Sequence, residues 1–167
     1  MNTKLLAALA AAALLSACAS EDTSGAATGA GAGSAGGMGF GSGMAGSVRP
    51  GSQEDLVANV GDRVFFATDR STVSADQRPV LERQAAWLAQ YPQVQVTLEG
   101  HADERGTREY NLALGQRRAN SARDVLVATG VSGSRLNVIS YGKDRPAALG
   151  STEDAWAQNR RAVTVVR

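Results

Sequence analysis

Hydrophobic and polar positions follow different periods in different parts of the chain. In residues 62–67, DRVFFA, the apolar residues cluster at the centre, as in a strand covered by other elements. The stretch SADQRPVLERQAAWLAQYP changes to a helical period. Leu81, Ala85, Leu88 and Tyr91 form one stripe, with Val80 and Trp87 widening it. Ser74 or Asp76 is expected to cap this helix, Pro79 fits its first turn, and Pro92 stops it. Val94, Val96 and Leu98 then alternate with Gln95, Thr97 and Glu99, the pattern of a half-buried strand. A long helix is predicted over 108–129, with Tyr110, Leu114, Val125 and Leu126 on its apolar side and Gly130 ending it. Gly115 inside it costs about 1 kcal/mol of helix propensity. A strand over 136–141, a short helix over 152–158 and a strand over 161–166 complete the pattern. The expectation is an α+β domain of order βαβαβ(α)β, with two main helices on one face of a mixed four-stranded sheet.

The first fifty residues obey neither period. One lysine precedes an apolar run from Leu5 to Leu15, and small residues lead to Cys18. This is the form of an export signal over 1–17, too short for the roughly 20 apolar residues of a lasting membrane span. Leu15-Ser16-Ala17-Cys18 resembles the lipobox of bacterial lipoproteins, in which the cysteine becomes the acylated first residue of the mature chain. Cys18 is the only cysteine, so no intramolecular disulfide competes for it. Acyl chains contribute about 0.8 kcal/mol per buried CH₂ and together make a durable anchor. Ala19, by analogy with that family, directs the anchor to the outer membrane, with the remainder in the periplasm. Residues 18–52 are rich in glycine, alanine and serine and cannot offset the entropy of ordering. As a random coil, residues 19–50 separate their ends by roughly 30 Å and extend to about 110 Å. The folded domain is placed at 53–167.

Charge and candidate chemistry narrow the function. The net charge is +1, which gives no basic field for nucleic acid. The richest segment is GHADERGTREYN, residues 100–111, which holds the only histidine, His101. Structural zinc takes four protein ligands and catalytic zinc three, so one histidine beside Asp103 and Glu104 is a poor metal site. No serine sits in a GxSxG context. Asp103 with Glu104 or Glu109 keeps glycosidase chemistry open as a remote alternative, in a domain with little room for a deep cleft. No metal or cofactor is expected, and no enzymatic activity.

Helix geometry is more informative. Asn111, Leu114, Arg118, Ala122 and Val125 recur at spacings of three and four and share one face. Arg118 lies about 16 Å along the axis from Thr107, and the residues back to Asp103 cover roughly 13 Å. Asp103 and Arg118 can therefore meet at the edge of a cleft. A carboxylate and a guanidinium together complement a zwitterion. A plain Asp–Arg bridge fits the same spacing with fewer assumptions, and spacing leaves both readings open.

The segment GHADERGTREYNLALGQRRANSARDVL, with SYGKDRPA and NRRAV, resembles the OmpA-like C-terminal domain family over about 62–167. The resemblance implies a non-catalytic domain that binds the peptide stem of peptidoglycan through the zwitterionic end of meso-diaminopimelate. By matching positions, Asp103 would take the ammonium and Arg118 the carboxylate. Asn111 would brace the loop or reach the stem, amides up to Thr107 would complete the pocket, and His101 would stand as a wall or support. Arg160 and Arg161 would tie the last strand to the helix ends. Relatives often carry FDFD where this chain reads Phe66, Ala67, Thr68 and Asp69, a departure at the pocket floor. Asp103→Ala and Arg118→Ala are each expected to abolish most wall binding without unfolding the domain. For lipoproteins of this family the resemblance further implies partnership with TolB and the Tol complex and a role in envelope integrity during division. Wall binding outside the Tol system, or wall hydrolysis, are the alternatives.

Overall fold

The computed structural model describes residues 48–167, so the export signal, Cys18 and the tether up to residue 47 lie outside the described residues. Ser52 opens a helix that the sequence pattern did not reveal, α1 (Gln53–Asn59), by accepting a hydrogen bond from the Asp55 amide. The Asp55 carboxylate in turn accepts from Gly51 N at 2.8 Å and from the Trp87 indole at 3.0 Å. With only Leu56 and Val57 as large apolar residues, α1 has too few turns for a helical period to show. Its one buried apolar side chain, Leu56, enters the main core.

Next come β1 (Arg63–Phe65), α2 (Arg78–Gln90), β2 (Val96–His101), α3 (Arg108–Ala128), a 3₁₀ turn (Gly133–Arg135), β3 (Leu136–Gly142), α4 (Glu153–Asn159) and β4 (Arg161–Val166). The sheet order is β1-β4-β2-β3. β2 and β3 run parallel, whereas β4 lies antiparallel between β2 and β1. Leu81 and Leu88 of α2 and Ala119, Ala122 and Leu126 of α3 share one core with Val64, Val96, Leu98 and Ala162 of the sheet. Two main helices on one face of a mixed four-stranded sheet are thus what the chain forms.

The cap of α2 differs from expectation. Gln77, not Ser74 or Asp76, stands at the N-cap, and no side chain caps the helix. A turn closed by Gln77 N to Ser74 O holds those two residues one turn upstream. The Gln77 carboxamide accepts from Phe65 N instead, tying the turn to the edge strand. In α3 the cap is Thr107, whose hydroxyl accepts from Tyr110 N at 3.2 Å. Thr129 closes the helix and Gly130, at φ 101°, lets the chain leave it.

Most of the helix face read from the sequence packs, but Tyr110, expected on the apolar side, is exposed and Val125 is half-buried. Asn111, Leu114, Gly115, Arg118, Ala119, Ala122 and Leu126 are all buried. The tightest crossing lies where Gly115 of α3 passes over Gly100 of β2. A Cβ on Gly115 would stand 2.8 Å from the Gly100 carbonyl oxygen. Because Asn111 and Arg118 are one turn to either side of Gly115, this crossing fixes their depth against the sheet.

Candidate functional site

An open cavity of about 310 Å³ lies between the start of α3, the segment after β2 and the segment after β1. Asp103, Arg105 and Gly106 line it from the second, Thr68 and Asp69 from the third, and Tyr110, Asn111, Leu114 and Arg118 from the helix. Sequence reasoning placed Asp103, Asn111 and Arg118 at one site, and they share this cavity. The stretch ending in Thr68 and Asp69, set at the pocket floor by the family resemblance, lines it too, whereas the Arg105 and Tyr110 side chains were not placed there.

Arg118 has no exposed surface, and every guanidinium nitrogen is engaged. Nε donates to Arg70 O and Nη1 to His101 O, both at 2.8 Å, and Nη2 donates to Ala67 O at 3.2 Å. One side chain thereby joins the segment after β1 to the end of β2. Burial pushes its pKa down to about 10, with Asp103 opposing the shift, so the group remains a cation at neutral pH. Three of its five N–H groups are used on the backbone, which leaves two for an anion.

Asp103 does not bridge to Arg118. Its carboxylate is held by Arg105, with Nη2 to Oδ2 at 2.6 Å and Nε to Oδ1 at 3.2 Å, and the Arg105 amide adds a third bond at 3.1 Å. Arg160 Nη1 stands 3.5 Å behind it. Burial alone would raise the Asp103 pKa, but the bonds and charge of Arg105, with Arg160 behind, outweigh it and hold the carboxyl below its usual range. The plain Asp103–Arg118 bridge is therefore replaced by an Asp103–Arg105 pair with Arg118 set apart in the same cavity. An aspartate accepting from the amide two residues on is a common turn, so D-x-R-G carried a signal for Arg105. Nothing local connects Arg160 to Asp103 across 57 positions.

Asn111 braces the loop, donating to Arg105 O at 2.7 Å. Thr107 spends its hydroxyl on the helix cap and does not line the cavity. Nor does His101. Its carbonyl serves Arg118, but along β2 its ring follows Glu99 and Thr97 to the sheet face away from α3. There it packs near Tyr141, 5.7 Å between ring centroids, with neither ring nitrogen hydrogen-bonded. Asp69 adopts φ 54° and accepts from the Tyr110 hydroxyl across the cavity mouth. Arg160 and Arg161 act as ties. Arg160 donates to Phe66 O at 3.1 Å and to Glu153 at 2.6 Å, and Arg161 donates to Arg145 O at 3.2 Å. Among the described residues, no group of three His, Cys, Asp or Glu stands close enough to hold a metal ion.

Burial, followed by the charges of Arg161 and Arg145, lowers the His101 pKa from 6.5 to about 4. The unfolded chain then binds the proton first, so folding stability is full above pH 6.5 and falls as pH drops towards 4. The loss amounts to roughly 3 kcal/mol across that window. As the only histidine, His101 gives one pair of ring signals in a proton NMR titration. Those signals should stay at neutral-form shifts until below pH 5. A midpoint near 6.5 would contradict the buried neutral ring.

Residues 65–160, which contain every group lining the cavity, match the OmpA family. The chain belongs to the OmpA family. Among its OmpA-family relatives, the peptidoglycan-associated lipoprotein of Rhizobium meliloti (strain 1021) is 59% identical over 122 residues, covering 73% of this chain and 69% of the relative. The protein of the same name from Agrobacterium fabrum is 58% identical over 124 residues, covering 74% and 70%. In three dimensions, the crystal structure of the peptidoglycan-associated lipoprotein from Burkholderia pseudomallei superposes with a TM-score of 0.64 at 39% identity. It spans 68% of this chain and all of the other. The OmpA-family region thus includes β2, β3, both main helices and every residue that lines the cavity, while β4 and most of β1 lie outside it.

Proposed function

We propose that this chain is an outer-membrane lipoprotein whose folded domain holds the cell wall non-covalently, by the diaminopimelate end of the peptidoglycan stem. The observation that carries the reading is the pairing of Asp103 and Arg118 in one open cavity. Opposite charges there are held apart rather than spent on each other. The volume of about 310 Å³ suits an amino-acid head group, and the relatives' names point to the same wall polymer.

In this reading the ligand ammonium sits on the Asp103 carboxylate, and its carboxylate takes the free N–H groups of Arg118. Asn111 keeps the loop in place, and the Leu114 side chain offers apolar contact for the methylenes. Residues 1–17 are removed on export, Cys18 carries the acyl anchor, residues 18–52 form the tether, and 53–167 is the wall-binding domain. One end is then nearly permanent, and the tether keeps the reversible end at high local concentration of its ligand. The domain's partners include TolB and the Tol complex, which places the protein in envelope maintenance during division. The chemistry is recognition, with no bond made or broken.

The test is sedimentation of the full chain, purified in detergent, with isolated cell-wall sacculi. Asp103→Asn keeps the shape of the side chain but removes the charge. It is expected to weaken binding about thirtyfold or more, as for loss of one member of a desolvated charge pair. Retention of the variant at the wild-type level would overturn the reading.

A further inference from the structure

The partner of Asp103 in the unliganded site is the chain's own Arg105, and the geometry points to Arg105 as the residue that sets ligand specificity. We infer that the site favours a head group bearing both an ammonium and a carboxylate, because an ammonium alone must displace Arg105 and leave it without an anionic partner. The inference rests on the reading given under Proposed function and deepens it.

Arg105 occupies the position an ammonium would need, with a two-pronged grip on both Asp103 oxygens. Its guanidinium also lies over the Trp156 ring, 4.1 Å from the centroid. The Trp156 indole is anchored by donation to Glu104 at 3.1 Å, so the aromatic seat is fixed from the other side. Yet Arg105 is not locked in the core, since its side chain is 40% exposed whereas that of Asp103 is 10% exposed. The grip is strong enough to compete and open enough to yield.

The exchange differs between ligands. An amine without a neighbouring carboxylate takes Asp103 and frees Arg105 to water, so one ion pair merely replaces another. An amino-acid head takes Asp103 with its ammonium, while its carboxylate lies within the same small cavity as both Arg118 and the freed guanidinium. The displaced cation then regains a partner. Arg118 alone is a weaker discriminator, because three of its N–H groups are committed to backbone carbonyls.

The experiment measures binding of two tripeptides to the full chain in detergent by calorimetry. One tripeptide ends in meso-diaminopimelate. The other carries lysine at that position, which supplies the ammonium without the second carboxylate. Wild-type protein should prefer the first. Arg105→Gln should bind the lysine peptide more tightly than wild type does and should lower the preference about twofold to fivefold, the range expected for a partly exposed ion pair. Arg105→Lys, which restores the charge without the fork, should recover part of the preference. Trp156 fluorescence should change on ligand binding in wild type and much less in Arg105→Gln. A variant that keeps the wild-type preference, or weakens both peptides equally, overturns the assignment of Arg105 while leaving the proposed function intact. Failure of wild type to bind either peptide overturns both.

Discussion

Arg118→Ala is expected to cost about 3–5 kcal/mol of folding stability and to remove wall binding with it. The side chain is fully buried and is the common donor to the carbonyls of Ala67, Arg70 and His101. Its removal leaves a cavity and strands the buried His101 carbonyl, while water can reach the other two in part. A domain of this size has about 5–15 kcal/mol in total, so the loss is a large share. Arg118→Lys should recover little, since one ammonium cannot span three carbonyls set in different directions. Urea denaturation of the full chain reads the effect, and a midpoint equal to wild type would refute it. Seen from the sequence alone, this substitution looked like a clean removal of a ligand contact. The structure makes it a removal of scaffold as well, so Asp103→Asn is the better test of binding, because its closest partner, Arg105, is partly exposed.

Gly100→Ala should be at least as damaging. Its Cβ would fall inside contact distance of the Gly115 carbonyl, a backbone atom that moves only if α3 lifts from β2. Overpacking of a close crossing costs about 1–3 kcal/mol where neighbours can adjust, and here the neighbour is backbone, so about 3 kcal/mol or more is expected. Gly115→Ala makes the sharper experiment. Helix propensity alone says it gains about 1 kcal/mol. Its Cβ, however, would press on Ser140 Oγ, which donates to Leu112 O at 2.7 Å, and on the Gly100 carbonyl. We expect net destabilisation of about 1–2 kcal/mol by urea denaturation, with weakened wall binding because Asn111 and Arg118 ride on the same turns. An increase in stability would show that propensity, not the crossing, governs this position.

Both effects explain what was legible and what was not. The long helix, the second to fourth strands and the α+β layering followed from hydrophobic periods long enough to repeat. Helix α1 and the Gln77 cap were not legible, because one has too few turns for a period and the other depends on the distant Phe65 amide. For the site, helix spacing put Asn111 and Arg118 on one buried face, and loop length let Asp103 come near.

By itself, the sequence determined the elements from β1 onward, their order, the shared face of α3 and the two opposite charges within reach of one another. These are set by contacts within a few residues, where backbone geometry gives every distance. Only the tertiary structure decided that Asp103 pairs with Arg105, that Arg160 stands behind it, that Arg118 spends three of its five N–H donors on the backbone, and that the His101 ring faces away from the cavity. Those outcomes depend on which distant groups share a low-dielectric space with too few partners for every charge. That competition is settled by packing across the sheet and is not written in any local stretch of the chain.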